Sequence, residues 1–561
     1  MPSHRLHRTE TVIVGGGLAG LVTALELIDQ KRRVIVLECG GPEALGGLAL
    51  QAFGGMHFVD SPLQRRQGIR DSQELGLADW HSYAEFEADD LWPKKWAEHY
   101  IARCIPDAYD WLKRLGMNFI PAVQWAERGW YRPGNSVPRY HVLWGTGQHL
   151  SQALIEALRT HPCYGRVEIL PRHKVVQLSR GSNGLHCCSG VAEDTGTPFT
   201  IEAEHVIVAS GGITGNLEKV RENWPRGWGP APSILLNGSQ PSADGALHDA
   251  VAAMNGRVTH LDQMWNYAAG VHHPHPQFPG HGLSLVPCKS ALWMDHQGRR
   301  IGPEPLVAGF DTRHLVERVS RLPRPYTWQI LNGRIAAREL AVSGAEHNPA
   351  IRDRRRWAFL KQLLFGNTAL VRQMVLECED FITAQSVCEL ALKMNLLNDD
   401  TNDVDVDVLG QEIHQYDDQI ARGPRFHNDD QLRRIAQLRG WLGDRVRTSG
   451  SQKILDPAAG PLIAIRTFVV TRKTLGGIQT DLHSRVLDTG GRAIPGLYAV
   501  GEAAGFGGGG SSGKRSLEGT CLTGCILTAR AAADAVISGV ESDPLPLPAP
   551  RESRNLTRAS A

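Results

Sequence analysis

The chain has 561 residues, with 60 Lys and Arg against 59 Asp and Glu. This length is sufficient for more than one domain with a large core, and the balanced charge provides no electrostatic footprint for a nucleic acid or an anionic membrane. The ten cysteines contain no CxxC pair and no zinc-like spacing, which favours a reducing, cytoplasmic compartment.

The N-terminal end carries a dinucleotide-binding pattern. Residues 11–14 form a β-branched run that predicts a buried parallel strand, and a GxGxxG motif follows at the start of an apolar helical pattern. The first glycine permits the tight turn, the second lets the backbone approach a pyrophosphate, and the third lets the helix pack on the strand. The helix N-terminus offers unpaired N–H groups to phosphates. The predicted contacts are Gly15, Gly17, Leu18, Ala19 and Gly20.

A second predicted strand, residues 34–37, ends in Glu38. A carboxylate at this position accepts hydrogen bonds from adenosine ribose hydroxyls, and it argues against a 2′-phosphate and hence against NADP. Residues 40–61 are rich in glycine, and such backbone lies against a cofactor with little steric obstruction. The glycines expected to do so are Gly46, Gly47, Gly54 and Gly55.

The middle of the chain changes character twice. Residues 65–144 are rich in Trp and charge and predict mostly helix, 147–158 predict an amphipathic helix, and 167–207 alternate like a set of strands. From about residue 260, Pro, His and Trp become frequent, and helical patterns dominate after Tyr326. We expect a first nucleotide-binding part over 1–262, an inserted substrate domain over 263–459, a second nucleotide-binding part over 460–540, and a Pro-rich disordered tail over 541–561.

Two segments imitate metal sites. Residues 398–410 are acidic, but with Asp403 at position 1 a calcium loop would have Val408 at the glycine position and His414 at the glutamate position, so the loop rule fails. Histidines cluster in the Pro-rich segment 271–282, where helical spacing is absent; a loop facing the substrate is the alternative to a metal site. We predict no bound metal. The histidines are His272, His273, His275 and His281.

No signal peptide or membrane span is predicted. The N-terminus is polar and leads directly into the first strand. The longest apolar stretch is the fingerprint itself, which is short for a span and contains four glycines.

The C-terminal end completes the pattern. Residues 494–505 resemble the second FAD motif of two-dinucleotide-binding flavoproteins, in which a strand followed by an acid, here Gly501 and Glu502, binds the ribityl chain. Residues 474–481 resemble the T-x-GG stretch of fumarate reductase flavoproteins and 3-ketosteroid dehydrogenases. Residues 209–212 resemble the ATGG motif of these families, which implies cofactor contacts from Ala209, Ser210, Gly211 and Gly212.

The resemblance covers roughly 9–262 and 460–533. It implies an α/β fold, with a Rossmann-like FAD-binding domain of the two-dinucleotide-binding type and an inserted α+β capping domain for the substrate. His57 does not precede the second glycine motif, as a covalent flavin would need, so FAD is expected to bind noncovalently.

The resemblance also implies a reaction centre. Residues 516–524 are similar to the segment whose helix N-terminus points at the flavin N1–C2=O edge, through groups at Ser516, Leu522 and Thr523. Four side chains match catalytic positions of fumarate reductases or replace them. These are Arg515 at the substrate-carboxylate position, Arg300 and Arg313 at the two arginines of the family's proton-delivery stretch, and Lys473 in place of a histidine.

This chain departs from both families. Gly302-Pro303-Glu304 replaces the Asn-Glu of fumarate reductases, and no tyrosine stands in the C-terminal segment where ketosteroid dehydrogenases carry a catalytic one. Tyr140, Tyr267 and Tyr326 are the candidate replacements.

The expected function is FAD-dependent oxidation of a CH–CH bond beside a carbonyl, as in 3-ketosteroid dehydrogenases, on an apolar or carbonyl-bearing small molecule. Fumarate-like reduction of an unsaturated carboxylate, and flavin-based electron transfer without dehydrogenase activity, are the alternatives. The electron acceptor and the oligomeric state stay open.

Overall fold

The computed structural model describes residues 5–398 and 403–540. The predicted tail over 541–561 lies outside this range, as does part of the acidic segment 398–410. The strands are β1 Arg5–Val14, β2 Val34–Leu37, β3 Gly55–His57, β4 Tyr140–Val142, β5 Val167–Leu170, β6 His173–Arg180, β7 His186–Ala192, β8 Thr197–Val208, β9 Leu236–Asn237, β10 Val258–Thr259, β11 Met264–His272, β12 Gly282–Val286, β13 Leu292–Met294, β14 Tyr326–Asn332, β15 Ala341–Val342, β16 Phe381–Ala384, β17 Leu462–Thr474, β18 Gly477–Ile478, β19 Arg485–Leu487 and β20 Ala493–Ala499.

The α-helices alternate with these strands in the first half of the chain and cluster between β14 and β17. They are α1 Leu18–Asp29, α2 Pro62–Arg66, α3 Gln73–Ala84, α4 Leu91–Arg103, α5 Asp110–Arg114, α6 Thr146–Arg159, α7 Leu217–Glu222, α8 Ala246–Ala253, α9 Thr312–Ser320, α10 Gly333–Glu339, α11 Pro349–Arg352, α12 Arg356–Phe365, α13 Thr368–Glu377, α14 Val387–Leu397, α15 Val406–Ala421, α16 Asp430–Arg439, α17 Leu442–Arg445 and α18 Thr520–Ser538.

The first sheet is built on parallel strands from both ends of the chain. β1 pairs in parallel with β2 on one side and with β8 on the other, and β20 pairs in parallel with β8. The strand order is β19-β20-β8-β1-β2-β5, with β6 and β7 attached beside β8. The β-branched run ending β1 is buried, as expected for a central parallel strand. The carboxyl ends of β1, β2, β8 and β20 therefore meet at one edge.

Helix α18 closes this layer against α1. The two helices share one apolar core, in which Leu21 and Val22 of α1 pack with Ile526 and Leu527 of α18. α18 has 19 residues and is long and apolar enough to cross a membrane, which corrects the expectation that the fingerprint is the longest apolar stretch. Two thirds of its apolar window is buried inside the protein, as for a core helix.

The second sheet is built around the long strand β17. The strand order is β13-β14-β17-β11-β12-β15, with β16 and β9 also pairing with β17. In the β11–β17 pairing, Trp265 lies opposite Lys473 and Met264 opposite Thr474. The last residues of β17 therefore lie at the edge of the first sheet where its parallel strands end. There the Thr474 N–H bonds to Glu502, which follows β20.

One element prediction is wrong in its extent. Residues 65–144 were expected to be mostly helical, but helices end at Arg114 and an irregular segment runs to β4 at Tyr140. Pro121, Pro133 and Pro138 interrupt this segment, and proline opposes helix both at its own position and at the residue before it. The helix over 147–158 and the strands over 167–207 are observed as α6 and β5–β8.

Truncation in the centre of the second sheet is expected to destabilise the protein. Ile465 on β17 is fully buried between β14 and β16, so Ile465→Ala should lower the free energy of unfolding by about 2–5 kcal/mol. Val191 on β7 is 40% exposed, and Val191→Ala should cost roughly 0.5 kcal/mol or less. Urea denaturation followed by tryptophan fluorescence measures both; equal losses would contradict the placement of β17 in the core.

Candidate functional site

A long cavity begins where β1, β2 and β8 end. Its wall includes Val14, Leu37 and Ala209 at the carboxyl ends of those strands, and it extends to Cys521 at the start of α18. This edge of a parallel sheet is where open α/β folds bind their ligands. Both ends of the chain contribute to the same wall.

The glycines of the fingerprint allow close backbone contacts. Gly15 has φ +114°, and a Cβ atom there would lie 2.3 Å from the carbonyl oxygen of Ala209. At Gly17 the nearest atom to such a Cβ is the Cα of Gly47, at 4.0 Å, so this side of the turn opens into the cavity. Gly17 is the N-cap of α1 and has no side chain to cap the helix, which leaves the first N–H groups of α1 available. These features fit a pyrophosphate at the helix N-terminus.

Glu38 is fixed at the mouth of this turn. Its carboxylate accepts hydrogen bonds from the N–H groups of Gly16 and Gly40, both at 2.8 Å. The residue is 8% exposed and lines the cavity. The carboxylate is therefore held in place by backbone donors while it faces the ligand space.

Most of the predicted cofactor residues line this cavity. They are Gly15, Gly17, Leu18, Ala19, Glu38, Gly47, Gly54, Gly55, Ala209, Ser210, Gly211, Glu502 and Leu522.

The remaining predicted cofactor residues are not among the described residues that line the cavity. Gly20 packs on the Gly15 carbonyl, Gly46 donates to the Gly16 carbonyl, and Gly501 donates to the Thr528 hydroxyl.

Three further predicted residues support the wall from behind. Gly212 lies against Glu502 and Thr474, the Ser516 hydroxyl is 2.7 Å from that of Thr520, and Thr523 is buried. Their contribution is close packing that the glycine and small side chains permit.

Glu502 is a half-buried acid on the cavity wall, between the end of β20 and the end of β17. It accepts a hydrogen bond from the Thr474 N–H at 2.8 Å. Burial raises the pKa of Glu502 to about 7, although the Thr474 hydrogen bond and the nearby Lys473 and Arg472 oppose the rise. Near neutral pH this carboxyl exists in both protonation states.

A polar cluster occupies the deep end of the cavity, and Glu518 is its hub. Its Oε2 accepts hydrogen bonds from the Tyr267 hydroxyl at 3.1 Å and from the Trp265 Nε1–H at 2.9 Å. Its Oε1 lies 3.8 Å from the Lys473 Nζ. Tyr267, Lys473 and Glu518 all line the cavity, so a carboxylate, an ammonium and a phenol face one space.

The protonation of this cluster is shaped by its environment. Burial raises the pKa of Tyr267, and Glu518 raises it further, so the phenol keeps its proton near neutral pH. Burial opposes the ammonium charge of Lys473, but the acidic side chains around it, of which Cys521 has the largest effect, raise its pKa overall. The cluster is therefore a charged Lys473 beside a phenol that donates to Glu518.

Tyr140 provides a second phenol in the same space. Its ring packs beside Gly519, and its hydroxyl lies over Gly55, where a Cβ atom would be 1.9 Å from the oxygen. Burial raises the pKa of Tyr140. Among the residues that the structure describes, its hydroxyl has no hydrogen-bond partner, and it lines the cavity. It is an available donor for a ligand.

The three predicted catalytic arginines are not among the described residues that line the cavity. Arg515 donates from Nε to Asp311 at 3.0 Å and is also paired with Glu85. Its charge is therefore matched by two carboxylates of the protein. A substrate carboxylate would have to displace them.

Arg313 and Arg300 are also held by the protein. Arg313 stacks on Trp228, with 4.6 Å between the guanidinium carbon and the ring centroid. Arg300 donates to Asp429 at 3.1 Å and to Gln431 at 2.7 Å. Of the four predicted catalytic residues, only Lys473 belongs to the cavity wall.

The histidine-rich loop lies apart from the described wall of the main cavity. His273 accepts the His275 N–H at its Nδ1, so its proton is on Nε2, which faces Glu346 at 3.5 Å. His272 bonds Asp380, which also accepts from Arg466 at 2.9 Å. Each of these carboxylates is thus engaged in pairs within the protein. The candidate tyrosine Tyr326 is also elsewhere, with its hydroxyl 3.4 Å from Asp403.

Glu518 is a cavity-lining residue that the sequence predictions omitted. It is the only acid between Glu502 and Asp534. The only acid in a glycine-rich segment between two motifs is a signal that the pattern of arginines obscured. Cys521 and Arg472 were likewise omitted and line the cavity.

A family model for an FAD binding domain matches residues 10–522. The chain belongs to this FAD-binding family. It is 42% identical over 531 residues to a KsdD-like steroid dehydrogenase of Mycolicibacterium smegmatis, covering 91% of this chain and 96% of that protein. The cofactor is therefore FAD, and the protein is an FAD-dependent oxidoreductase, as predicted.

Solved structures show the same mixed helix and sheet fold. The 3-ketosteroid Δ1-dehydrogenase of Sterolibacterium denitrificans, in complex with 1,4-androstadiene-3,17-dione, matches with a TM-score of 0.69 and 15% identity, covering 95% of this chain and all of that one. A flavocytochrome c3 fumarate reductase matches with a TM-score of 0.66 and 17% identity, covering 95% and 78%. The predicted α/β flavoprotein fold is confirmed at this level.

Substitution of Gly15 tests the close approach of β1 to Ala209. Gly15→Ala should strongly reduce the FAD-to-protein ratio after purification, because a Cβ would meet the Ala209 carbonyl at 2.3 Å. Gly184→Ala is the matched control, since Gly184 also has positive φ, at +79°, but no atom within 4 Å. Equal flavin contents in the two variants would contradict a requirement for the close contact between Gly15 and Ala209.

The pKa of Glu502 makes a pH-dependent stability prediction. Its folded pKa of about 7 lies above the ordinary 4.5, so the folded state binds this proton more tightly than the unfolded state. The contribution of Glu502 to the free energy of unfolding should fall as pH rises from 4.5 through about 7, and it should stay low at higher pH. Flavin-free Glu502→Gln should therefore gain in Tm over wild type at pH 8 and lose the gain at pH 4.5; a pH-independent difference would contradict this.

Proposed function

We propose that the protein is a ketosteroid-type dehydrogenase, which oxidises a CH–CH bond beside a carbonyl in an apolar substrate. The observation that carries this proposal is the meeting of Tyr267, Glu518 and Lys473, with Tyr140 beside them, at the deep end of the FAD-family cavity. The KsdD-like relatives at 40–42% identity support the substrate class.

We further propose how the chain holds FAD without a covalent bond. The Rossmann-like turn at Gly17 and the N-terminus of α1 would bind the pyrophosphate, Glu38 the adenosine ribose, and Glu502 the ribityl chain. When bound, FAD supplies the two-electron acceptor for the oxidation. Residues 1–262 and 460–540 would form this FAD-binding domain, and 263–459 the inserted substrate domain.

The chain's own groups would handle the proton. Oxidation of the substrate removes a proton from the carbon beside the carbonyl and a hydride from the next carbon. Tyr267 takes that proton on its hydroxyl oxygen as its own proton passes to Glu518, 3.1 Å away. Lys473 remains charged beside Glu518 and stabilises the anion before the transfer.

Tyr140 would bind the substrate carbonyl. Its phenol keeps its proton because burial raises its pKa, and its hydroxyl has no partner among the described residues. A hydrogen bond from Tyr140 to the carbonyl oxygen would stabilise the enolate charge that develops during proton removal.

The fumarate-like alternative is less well supported. A carboxylate substrate is best held by an unpaired arginine, and two arginines that match the fumarate reductase pattern are paired within the protein, Arg515 with Asp311 and Glu85 and Arg300 with Asp429. Arg472 lines the cavity and forms no salt bridge among the described residues, but its guanidinium donates to the Gly238 carbonyl. An electron-transfer protein without substrate would have no use for a free phenol in the cavity. Dehydrogenation therefore accounts for more of the site.

We also propose a cytoplasmic enzyme that passes electrons to an acceptor still to be identified. All ten cysteines are free in the structure, which supports a reducing compartment.

A turnover assay tests the function. Purified protein with an artificial electron acceptor should convert members of a 3-ketosteroid panel to products two hydrogens lighter by mass spectrometry. Reduction of fumarate by the same protein with a reduced dye, in the absence of steroid turnover, would favour the alternative function.

Removing the Tyr267 hydroxyl should disable proton transfer. Tyr267→Phe should lower kcat by about 10²-fold or more, and Glu518→Gln should do likewise, while both keep their flavin. Tyr326→Phe is the matched control. Tyr326 also belongs to the second sheet and its hydroxyl also faces a carboxylate, that of Asp403, but it is not among the residues that line the cavity. A Tyr267→Phe enzyme with wild-type kcat would overturn the proton-acceptor assignment.

A further inference from the structure

Helix α12 is apolar on opposite faces. Phe359 points inward and packs edge-on against Trp144, with ring centroids 5.7 Å apart. Trp357, Leu360 and Leu364 recur at helical spacing on the other side, where they are 83%, 42% and 63% exposed. A helix with apolar residues all round is normally covered on all sides. A covering surface for the outward face is therefore expected.

The charge around this face is strongly positive. Residues 352–365 hold four arginines and one lysine against one aspartate. Arg354, Arg356 and Lys361 are exposed and form no salt bridge among the residues that the structure describes. Below the helix, Arg447 lines a neighbouring cavity together with Leu363 and Leu364. The face thus combines a large aromatic, leucines and unneutralised cations.

We propose that the outward face of α12 docks on an anionic lipid bilayer surface. An interfacial helix binds through Trp, Phe and Leu side chains inserted at the headgroup level and through basic residues that meet anionic lipid. The excess of positive charge favours this occupant over a second copy of the chain, because a two-fold contact would bring the same arginines of both copies together. The balanced total charge of +1 hides this local patch.

The position of α12 supplies a reason for docking. Phe359 and Trp144 belong to one apolar cluster with Phe53 and Tyr140, which line the main cavity. Docking through α12 would bring the wall of the substrate cavity close to a membrane in which apolar molecules concentrate. This reason rests on the proposed function, whereas docking itself does not.

Vesicle co-sedimentation of the FAD-loaded full-length protein tests the proposal. The protein is expected to bind vesicles of phosphatidylcholine mixed with phosphatidylglycerol. Added salt should weaken this binding, and vesicles of pure phosphatidylcholine should bind the protein more weakly. Trp357→Ser/Leu360→Ser/Leu364→Ser and Arg354→Glu/Arg356→Glu should each bind at least about ten-fold more weakly. Leu392→Ser/Leu396→Ser on α14 is the control, because these leucines are 58% and 57% exposed and should not affect binding.

Several results would overturn docking. These are no vesicle binding by wild type, equal binding to neutral vesicles, or an equal loss in the α14 variant. A wild-type dimer that the α12 apolar variant converts to a monomer, by light scattering, would assign the face to a second copy. Flavin content and vesicle-free steroid turnover are measured on the same preparations, so failure of docking is distinguishable from failure of the proposed dehydrogenase activity.

Discussion

The parallel pairing of β8 with β1 on one side and β20 on the other is the contact on which the site depends. It places the turn after β1, the segment after β8 and Glu502 after β20 at one edge. Gly15 fits against Ala209 there, and Gly212 fits against Glu502 and Thr474, only because neither glycine has a Cβ. A single cavity is thus assembled from residues almost five hundred positions apart.

The second sheet brings the chemistry to that edge. Its longest strand, β17, pairs with β11 in a register that sets Lys473 opposite Trp265. The following turn and the start of α18 then place Glu518 within reach of Lys473 and Tyr267. The end of the cavity beside β1 is mainly backbone and glycine, whereas the end beside Glu518 is made of titratable side chains. This division fits the proposed roles, in which one end holds the cofactor and the other removes a proton from the substrate.

The parts of the site that could be predicted from the sequence are those whose residues lie close together along the chain. The gathering of Gly15, Gly17 and Glu38 on one cavity wall was predictable, because a strand, a glycine turn, a helix and an acid lie within one short segment, where local backbone geometry determines contacts. The deep end was not, because Tyr140, Tyr267, Lys473 and Glu518 come from four segments joined only by sheet pairing. The pairing of the arginines was unpredictable for the same reason: Arg515 and Arg300 match a motif, but Asp311 and Asp429, which neutralise them, are distant in sequence.

Anaerobic addition of a 3-ketosteroid to the purified flavoprotein tests the central claim most directly, because it requires the cofactor and the substrate to share the cavity. The account predicts that the visible absorbance of oxidised flavin bleaches in wild type and much more slowly in Tyr267→Phe, with the same flavin content. Bleaching at equal rates in both proteins would contradict the role of Tyr267, and no bleaching with any ketosteroid, from a protein that keeps its FAD, would contradict the proposed reaction.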